Sequence, residues 1–596
     1  MTYTAPLADM RFALREVAGL QQVAALPGYE HATEDTVDAV LEEAAKLAAN
    51  GLAPLNRDGD KVGAKLENGV VRTAPGFAGL YKEFVDGGWN SLPFDPEFGG
   101  QGMPWLLAAT VQEMWQAANM GFGLVLLLNQ GAIDAIHHHG SAEQKATYLP
   151  KMISGEWTGT MNLTEPQAGS DLAQLRSRAV REGDHYRITG QKIFITYGEH
   201  DMAENIVHLV LARTPDAPAG VRGISLFIVP KFLPEGDGKP GKRNDLRCVS
   251  LEHKLGSHAS PTCVMSFGDD GGAIGHLVGE EGRGLSYMFT MMNNARLSVG
   301  IQGLAIAERA YQQAAAFAKT RVQSKDDGSA KPEPVSIIHH ADIRRMLMTM
   351  RAQIEGMRAL GYYTAAGIDG ALKHPDRDQA RRTQDRVDLL IPIVKAWFTD
   401  LGNEIASIGV QVHGGMGFIE ETGAAQHLRD ARILPIYEGT NGIQARDLVG
   451  RKIAKDGGET MLGLVNEMRA LARELASAPG DDLAAIRDAL AGSADALEDA
   501  TRWVARSVKG ELVAALAGSV PFLRLAGTAL GGWLLAKGAL AAQTRLASRD
   551  GDPAFLEAKL MTARFYAEVI LPPALAQLGP LKAAGRTVFA LSETQL

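Results

Sequence analysis

Between residues 159 and 283 the chain carries short β-branched runs, HYRITGQKIFIT, NIVHLVLAR and GISLFIVP, each bounded by Gly, Pro or Asp. The segments on either side keep a helical period instead. Ile343, Leu347, Met350, Ile354 and Met357 recur in steps of four and three, as one face of a long helix requires. Leu464, Met468, Leu471 and Leu475 repeat that spacing. The order is helical, β, helical and helical again, and 596 residues are too many for one core. The expected fold class is multidomain α+β: a helical domain over 1–158, a β domain over 159–283, a helical bundle over 284–454 and a helical extension over 455–596. PFDPEFGGQGMP (Pro93 to Pro104) interrupts the first helical block, and KDDGSAKPEPVS (Lys325 to Ser336) reads as a loop between two long helices.

Composition narrows the partners. The net charge of −9 argues against a nucleic-acid binder, and the extension holds 15 Lys/Arg against 16 Asp/Glu, which leaves no phosphate-binding stripe. Cys248 and Cys263 are too few for a disulfide framework or a thiolate metal site, which fits a reducing, cytoplasmic setting. MTYTAPLADMRF lacks the charged and apolar regions of a secretory signal. Leu525 to Ala536, the most apolar late run, is too short to span a bilayer.

Familiar motifs are few. GEEGRG (Gly279 to Gly284) lacks the G-x-G-x-x-G spacing, and no apolar strand is expected to lead into it. His137, His138 and His139 are adjacent, so on a helix they point apart and suit a C-terminus capped by Gly140 better than a metal. Four other stretches stand out. In MNLTEPQAGSDL, Ala168, Gly169 and Ser170 permit close backbone approach, and the hydroxyls of Thr164 and Ser170 can donate. In GQKIFITYGEHD, Phe194, Ile195 and Thr196 place an aromatic surface beside a hydroxyl, and VQVHGGMGFIEE offers paired glycines. Alone, each reads more readily as turn or core than as a binding site. The fourth, LPIYEGTNGIQARDLVGRK, sets one carboxylate, Glu438, among Ile436, Tyr437 and Gly439. Apolar neighbours desolvate a carboxylate and make it a stronger base. Asn441 and Gln444 have the spacing of a capping box, which puts Glu438 just before a helix.

Taken in order, PEFGGQG, TEPQAGSD, KIFIT, LVGEEGRGL, QVHGGMGF and IYEGTNGIQ resemble the acyl-CoA dehydrogenase family over roughly residues 34 to 452. The length and extension are similar to a large bacterial subgroup. The resemblance implies an N-terminal helical domain, a middle β domain, a C-terminal four-helix bundle, and FAD as cofactor. It implies FAD contacts by Met161, Leu163, Thr164, Gly169 and Ser170, with Phe194, Ile195 and Thr196 at the isoalloxazine ring. Arg321 and Gln323 would meet the pyrophosphate, Gln411, Val412, His413, Gly414 and Gly415 the adenosine end from a partner subunit, and Thr440 and Asn441 further polar groups. Glu438 would be the base that removes the proton α to a thioester while hydride goes to flavin N5. Ser170, Arg296, Tyr437 and Gly439 would face the acyl-CoA. Some family branches carry the base just before the residue matching Arg296; here that position is Ala295.

Departures from the family pattern are Met161, where many relatives have Tyr, and His340-Ala341, where a histidine–glutamine pair is usual. The implied partners are an acyl-CoA, straight-chain or thioether, electron-transfer flavoprotein as acceptor, and a second copy in a homodimer, with a homotetramer as the alternative. An acyl-CoA oxidase and a non-catalytic nucleic-acid-binding relative are the other functional classes. Met291, Met292 and the stretch Met114 to Leu128 are expected to set pocket depth.

Overall fold

The computed structural model describes residues 3–236, 238–326 and 333–596, with the side chains of 290–294 outside the described set. The pocket-wall expectation for Met291 and Met292, and the middle of the Lys325 to Ser336 stretch, therefore lie outside the described residues. Two compact units divide the chain.

The first unit comprises Met1–Thr4, Lys46–Met103 and Met114–Ser298. Its centre is an eight-stranded sheet. The strands are β1 (Trp157–Asn162), β2 (Arg178–Glu182), β3 (His185–Thr196), β4 (Asn205–Arg213), β5 (Ile224–Pro230), β6 (Leu246–Leu251), β7 (Thr262–Phe267) and β8 (Ala273–Leu277). Their order is β6-β7-β3-β8-β5-β4-β1, with β2 beside β3 and β4. Pairing is antiparallel apart from β1 with β4 and a single β2–β4 contact. Nearly all of β4 and β5 is buried, which explains why their sequences are continuous apolar runs rather than alternating ones. Strand β8 does lead toward the Gly279 to Gly284 stretch, contrary to expectation. It is antiparallel to β3 and β5, so the glycines belong to no βαβ unit. A hairpin, Lys65–Glu67 with Val70–Arg72, was also not foreseen. Its Asn68-Gly69 turn, both residues at positive φ, is the usual chemistry for such a reversal.

The helix Met120–His139 is buried through Ile136 and ends at Gly140, whose N–H returns to Ile136 O at 2.8 Å. The histidines diverge as expected: His137 meets Phe98 edge-on and His139 stacks on Tyr287. No cluster of three or more His, Cys, Asp or Glu that could hold a metal occurs among the described residues. Met114 to Leu128 is buried core.

The second unit comprises Ala5–Ala45, Pro104–Glu113 and Val299–Leu596. Long helices build it: α1 (Gly284–Thr320, whose residues from Val299 belong here), α2 (Ala341–Lys373), α3 (Arg377–His413), the short α4 (Asn441–Asp447), and in the extension α5 (Glu459–Leu475), α6 (Asp481–Gly510), α7 (Ser519–Ser548) and α8 (Pro553–Phe565). The periodic positions of α2 and α5 face the core as their spacing requires, with Ile343 half-buried at the end of its row. The crossing of α1 and α3 is a backbone contact. A Cβ on Gly303 would lie 2.5 Å from Phe398 O, and one on Gly402 2.8 Å from Gly303 O. The expected loop after α1 begins and ends as a short hairpin, Val322–Lys325 with Pro334–Ser336.

The apolar run at Leu525 lies inside the thirty-residue α7. Both α7 and Met120–His139 are long and apolar enough to cross a membrane, but 83% and 94% of their apolar windows are buried within the protein.

A buried ionic network joins the first twenty residues to the extension. Arg358 on α2 meets Asp9, Glu113 and Glu308, while Lys559 on α8 meets Asp9 and Glu355. Burial alone would raise the Asp9 carboxyl; Lys559 and Arg358 beside it hold it well below the usual carboxylate range. A depressed carboxyl adds stability above its unfolded pKa and loses it as pH falls. Lys559→Met takes one of two cations from each of two buried carboxylates, leaving Asp9 with Arg358 and Glu355 with Arg351, so it should cost about 1–3 kcal/mol at pH 7. Thermal unfolding followed by circular dichroism should show that deficit narrowing below about pH 4, where Asp9 becomes protonated in the unfolded chain.

Candidate active site

The residues singled out above fall into two sets, one in each unit. In the first unit, β3 carries one extra residue opposite β7: Ile195 faces Cys263, but the next match is Lys192 with Met265. The bulge puts Phe194 in the left-handed region at φ 60° and turns its ring outward, 59% exposed. A non-glycine residue there is strained, and bulges of this kind re-aim a side chain. Thr196 is half-buried, and Gly169 and Ser170 are exposed, with open space around Gly169. The Ile195 side chain packs in the sheet core, 2% exposed. The Met161 side chain is buried too. Arg296 is buried, its guanidinium over the Phe289 ring, rather than lying on a helix surface.

Two charged residues that sequence reasoning passed over fix these loops. Lys192, fully buried on β3, donates to Leu163 O at 3.1 Å and Glu165 Oε1 at 2.8 Å. Glu165 also accepts from the N–H groups of Arg176 and Ser177 and from the Ser177 hydroxyl. Ile193 N–H donates to Thr164 O at 2.9 Å, so residues 163–165 are strapped directly to the bulged strand. Burial opposes the Glu165 charge, but Lys192, Ser177 and Arg176 bring the carboxyl down to about 2. Burial pushes Lys192 down to about 8 against the pull of Glu165. The pair is thus ionised at neutral pH.

In the second unit, Glu438 ends a tight turn after the buried anchor Leu434. Its φ is 53° and that of Gly439 is 84°, two left-handed residues in succession. For a glutamate that conformation costs about 1–3 kcal/mol and persists only where its surroundings impose it. Here Gln444 Nε2 donates to Glu438 O at 3.2 Å and to Gly439 O at 3.3 Å, and Lys395 Nζ donates to Gly439 O at 2.9 Å. Glu438 is half-buried. The Tyr437 hydroxyl donates to Gln302, and burial with the neighbouring Glu438 charge pushes it far up, so this expected substrate contact also braces the turn.

The capping box is a correction. Thr440 caps α4 by accepting from Ile443 N–H at 3.3 Å, while Asn441 is the first helical residue. Asn441 is bound into Lys395, Thr399 and Asp400, so it buttresses the turn. Val412 and His413 are both buried, and His413 stacks on Phe317 at 4.5 Å. Gln411, Gly414 and Gly415 are exposed, as are Arg321 and Gln323 at the base of the hairpin. The signal for Lys395 was present as a lysine within the apolar run LIPIVKAWF.

The β unit thus presents a strained aromatic at Phe194 near the hydroxyl of Thr196, and the helical unit a strained glutamate, Glu438, just before a helix. Profiles for acyl-CoA dehydrogenases match the chain in order: N-terminal domain over 34–156, middle domain over 160–269 and C-terminal domain over 282–454. A fourth, described as acetyl-CoA dehydrogenase C-terminal like, covers 464–592. The 3-methylmercaptopropionyl-CoA dehydrogenase of Ruegeria pomeroyi is 49% identical over 99% of this chain and 100% of its own. A broad-specificity linear acyl-CoA dehydrogenase of Mycobacterium tuberculosis is 34% identical over 96% of each. The crystal structure of a Bacillus anthracis acyl-CoA dehydrogenase complexed with FAD superposes with a TM-score of 0.74 at 21% identity, covering 96% of this chain and 91% of that one. The chain belongs to the acyl-CoA dehydrogenase family and is an oxidoreductase acting on a CH–CH bond.

Replacing Lys192 by Met leaves the Glu165 carboxylate buried and uncompensated, so thermal unfolding should report a loss of about 3–5 kcal/mol. The double variant Lys192→Met/Glu165→Gln should recover part of that loss, because no charge is then stranded.

Proposed function

We propose that this protein dehydrogenates an acyl-CoA thioester between carbons α and β, with FAD as resident cofactor and Glu438 as the base. The observation that carries this reading is the forced left-handed turn at Glu438, where strain is maintained around a single half-buried carboxylate. The residues suit the cofactor: an outward aromatic at Phe194, a half-buried hydroxyl at Thr196, and backbone around Gly169 and Gly414 where a Cβ would meet nothing. FAD, when bound, supplies the acceptor for the β-hydride. Glu438 takes the α-proton, and Gly439 leaves the acyl chain free of a side chain at that point. Ser170, Arg296 and Tyr437 remain the proposed acyl-CoA contacts. Tyr437 acts through its ring, because its hydroxyl is committed to Gln302.

The substrate class we favour is a short acyl-CoA, with 3-methylmercaptopropionyl-CoA first, because the relative of that name matches at 49% over the full length. Electrons then pass to an electron-transfer flavoprotein. We also propose a homodimer. Met416, Phe418 and Ile419 form an exposed apolar loop, with Phe418 86% exposed, and it directly follows Gln411, Gly414 and Gly415, the residues assigned to a partner's adenosine end.

Anaerobic flavin bleaching tests the reading across acyl-CoAs of graded length, the methylthio thioester included. Short and methylthio substrates should bleach the wild type. Glu438→Gln should keep its yellow cofactor yet bleach about 10²–10⁴-fold more slowly. Bleaching at the wild-type rate in that variant refutes the base, and bleaching by long chains alone refutes the substrate class.

A further inference from the structure

Lys395 is fully buried on α3, where an ammonium is costly unless its donors are satisfied. It donates to Gly439 O at 2.9 Å and to Asn441 Oδ1 at 2.8 Å. Asn441 in turn donates to Thr399 Oγ1 at 2.9 Å and Asp400 Oδ1 at 2.7 Å. One amide thus relays the buried positive charge toward a carboxylate. The nearby Gln444 holds the Glu438 and Gly439 carbonyls. Each peptide is planar and trans, so fixing those two carbonyls also fixes the N–H groups of Gly439 and Thr440 on the opposite side. The peptide after the glutamate then has no freedom to relax out of the left-handed form.

We infer that Lys395 is a positioning residue for the base: its ammonium, clamped on the Gly439 carbonyl and Asn441, holds the Glu438 turn in its strained conformation and places a buried positive charge next to it. The inference rests on Glu438 being the base. A purely structural lysine would affect folding and cofactor retention alone. A positioning lysine affects the rate of the flavin-bleaching step and its pH dependence at unchanged substrate affinity.

The test uses the full-length, FAD-loaded protein. Lys395→Met should bind acyl-CoA within about threefold of wild type, while single-turnover bleaching slows about 10²-fold, as a displacement near 1 Å would cause. Its acid limb should move to higher pH, because removing a nearby positive charge favours the protonated carboxylate. Bleaching at the wild-type rate, an unmoved acid limb, or a loss confined to stability and affinity overturns the inference. Should Lys395→Met not accumulate, Asn441→Ala, which removes one acceptor from Lys395 and unties Asp400, carries the same reading. Slowed bleaching then supports the inference and wild-type bleaching refutes it. Glu438→Gln, run in parallel, separates the two failures. Normal bleaching there means the base assignment has failed; an inert Glu438→Gln beside an undisturbed Lys395→Met means only the role of Lys395 has failed.

Discussion

A carbon next to a thioester yields its proton only to a base that does not wander, and a glutamate in a loop wanders unless its backbone is held. Around residues 434–444 the second unit holds such a glutamate, Glu438, the base proposed above. A rigid helix, α3, supplies a buried ammonium; α4 supplies an amide; between them the carbonyls of Glu438 and Gly439 are occupied. The strain at Glu438 is offset by these bonds and by the packing of α3 against α1, where Gly303 and Gly402 let the backbones touch.

The first unit solves the same problem with the same device. Lys192 lies at the edge of the bulge in β3, is fully buried, and takes one loop carbonyl, that of Leu163, and one side-chain acceptor, Glu165. Lys395 takes the carbonyl of Gly439 and the amide of Asn441. The chemistry differs in one respect. Lys192 meets a carboxylate directly, a strong and closed pair, whereas Asn441 stands between Lys395 and Asp400 in the hydrogen-bond chain. A lysine neutralised at once contributes little field beyond its partner; one neutralised at a remove leaves positive potential near the turn.

Much of this was legible in the residues. Periodicity located α2 and α5, β-branched runs located β3 to β5, and ordered motifs carried the family and Glu438. Other features were hidden for physical reasons. The bulge that exposes Phe194 and buries Ile195 is a register shift, invisible where both residues are apolar. Thr440 and Asn441 are both good caps by composition, and only the tertiary partners of Asn441 decide between them. Val412 and His413 lie beside the exposed Gln411 in a helix, so neighbours in sequence face different ways. The tie between Asp9 and Lys559 spans nearly the whole chain, and no local pattern announces it.

Proton removal can be isolated from hydride transfer with an acyl-CoA bearing sulfur in place of carbon β, from which no hydride can leave. Incubated with the FAD-loaded protein in deuterated water and read by mass spectrometry, such a thioester should exchange its α-hydrogens in the wild type and stay unlabelled with Glu438→Gln. Equal labelling by both proteins would show that another group removes the proton, and the account of the Glu438 turn would fall.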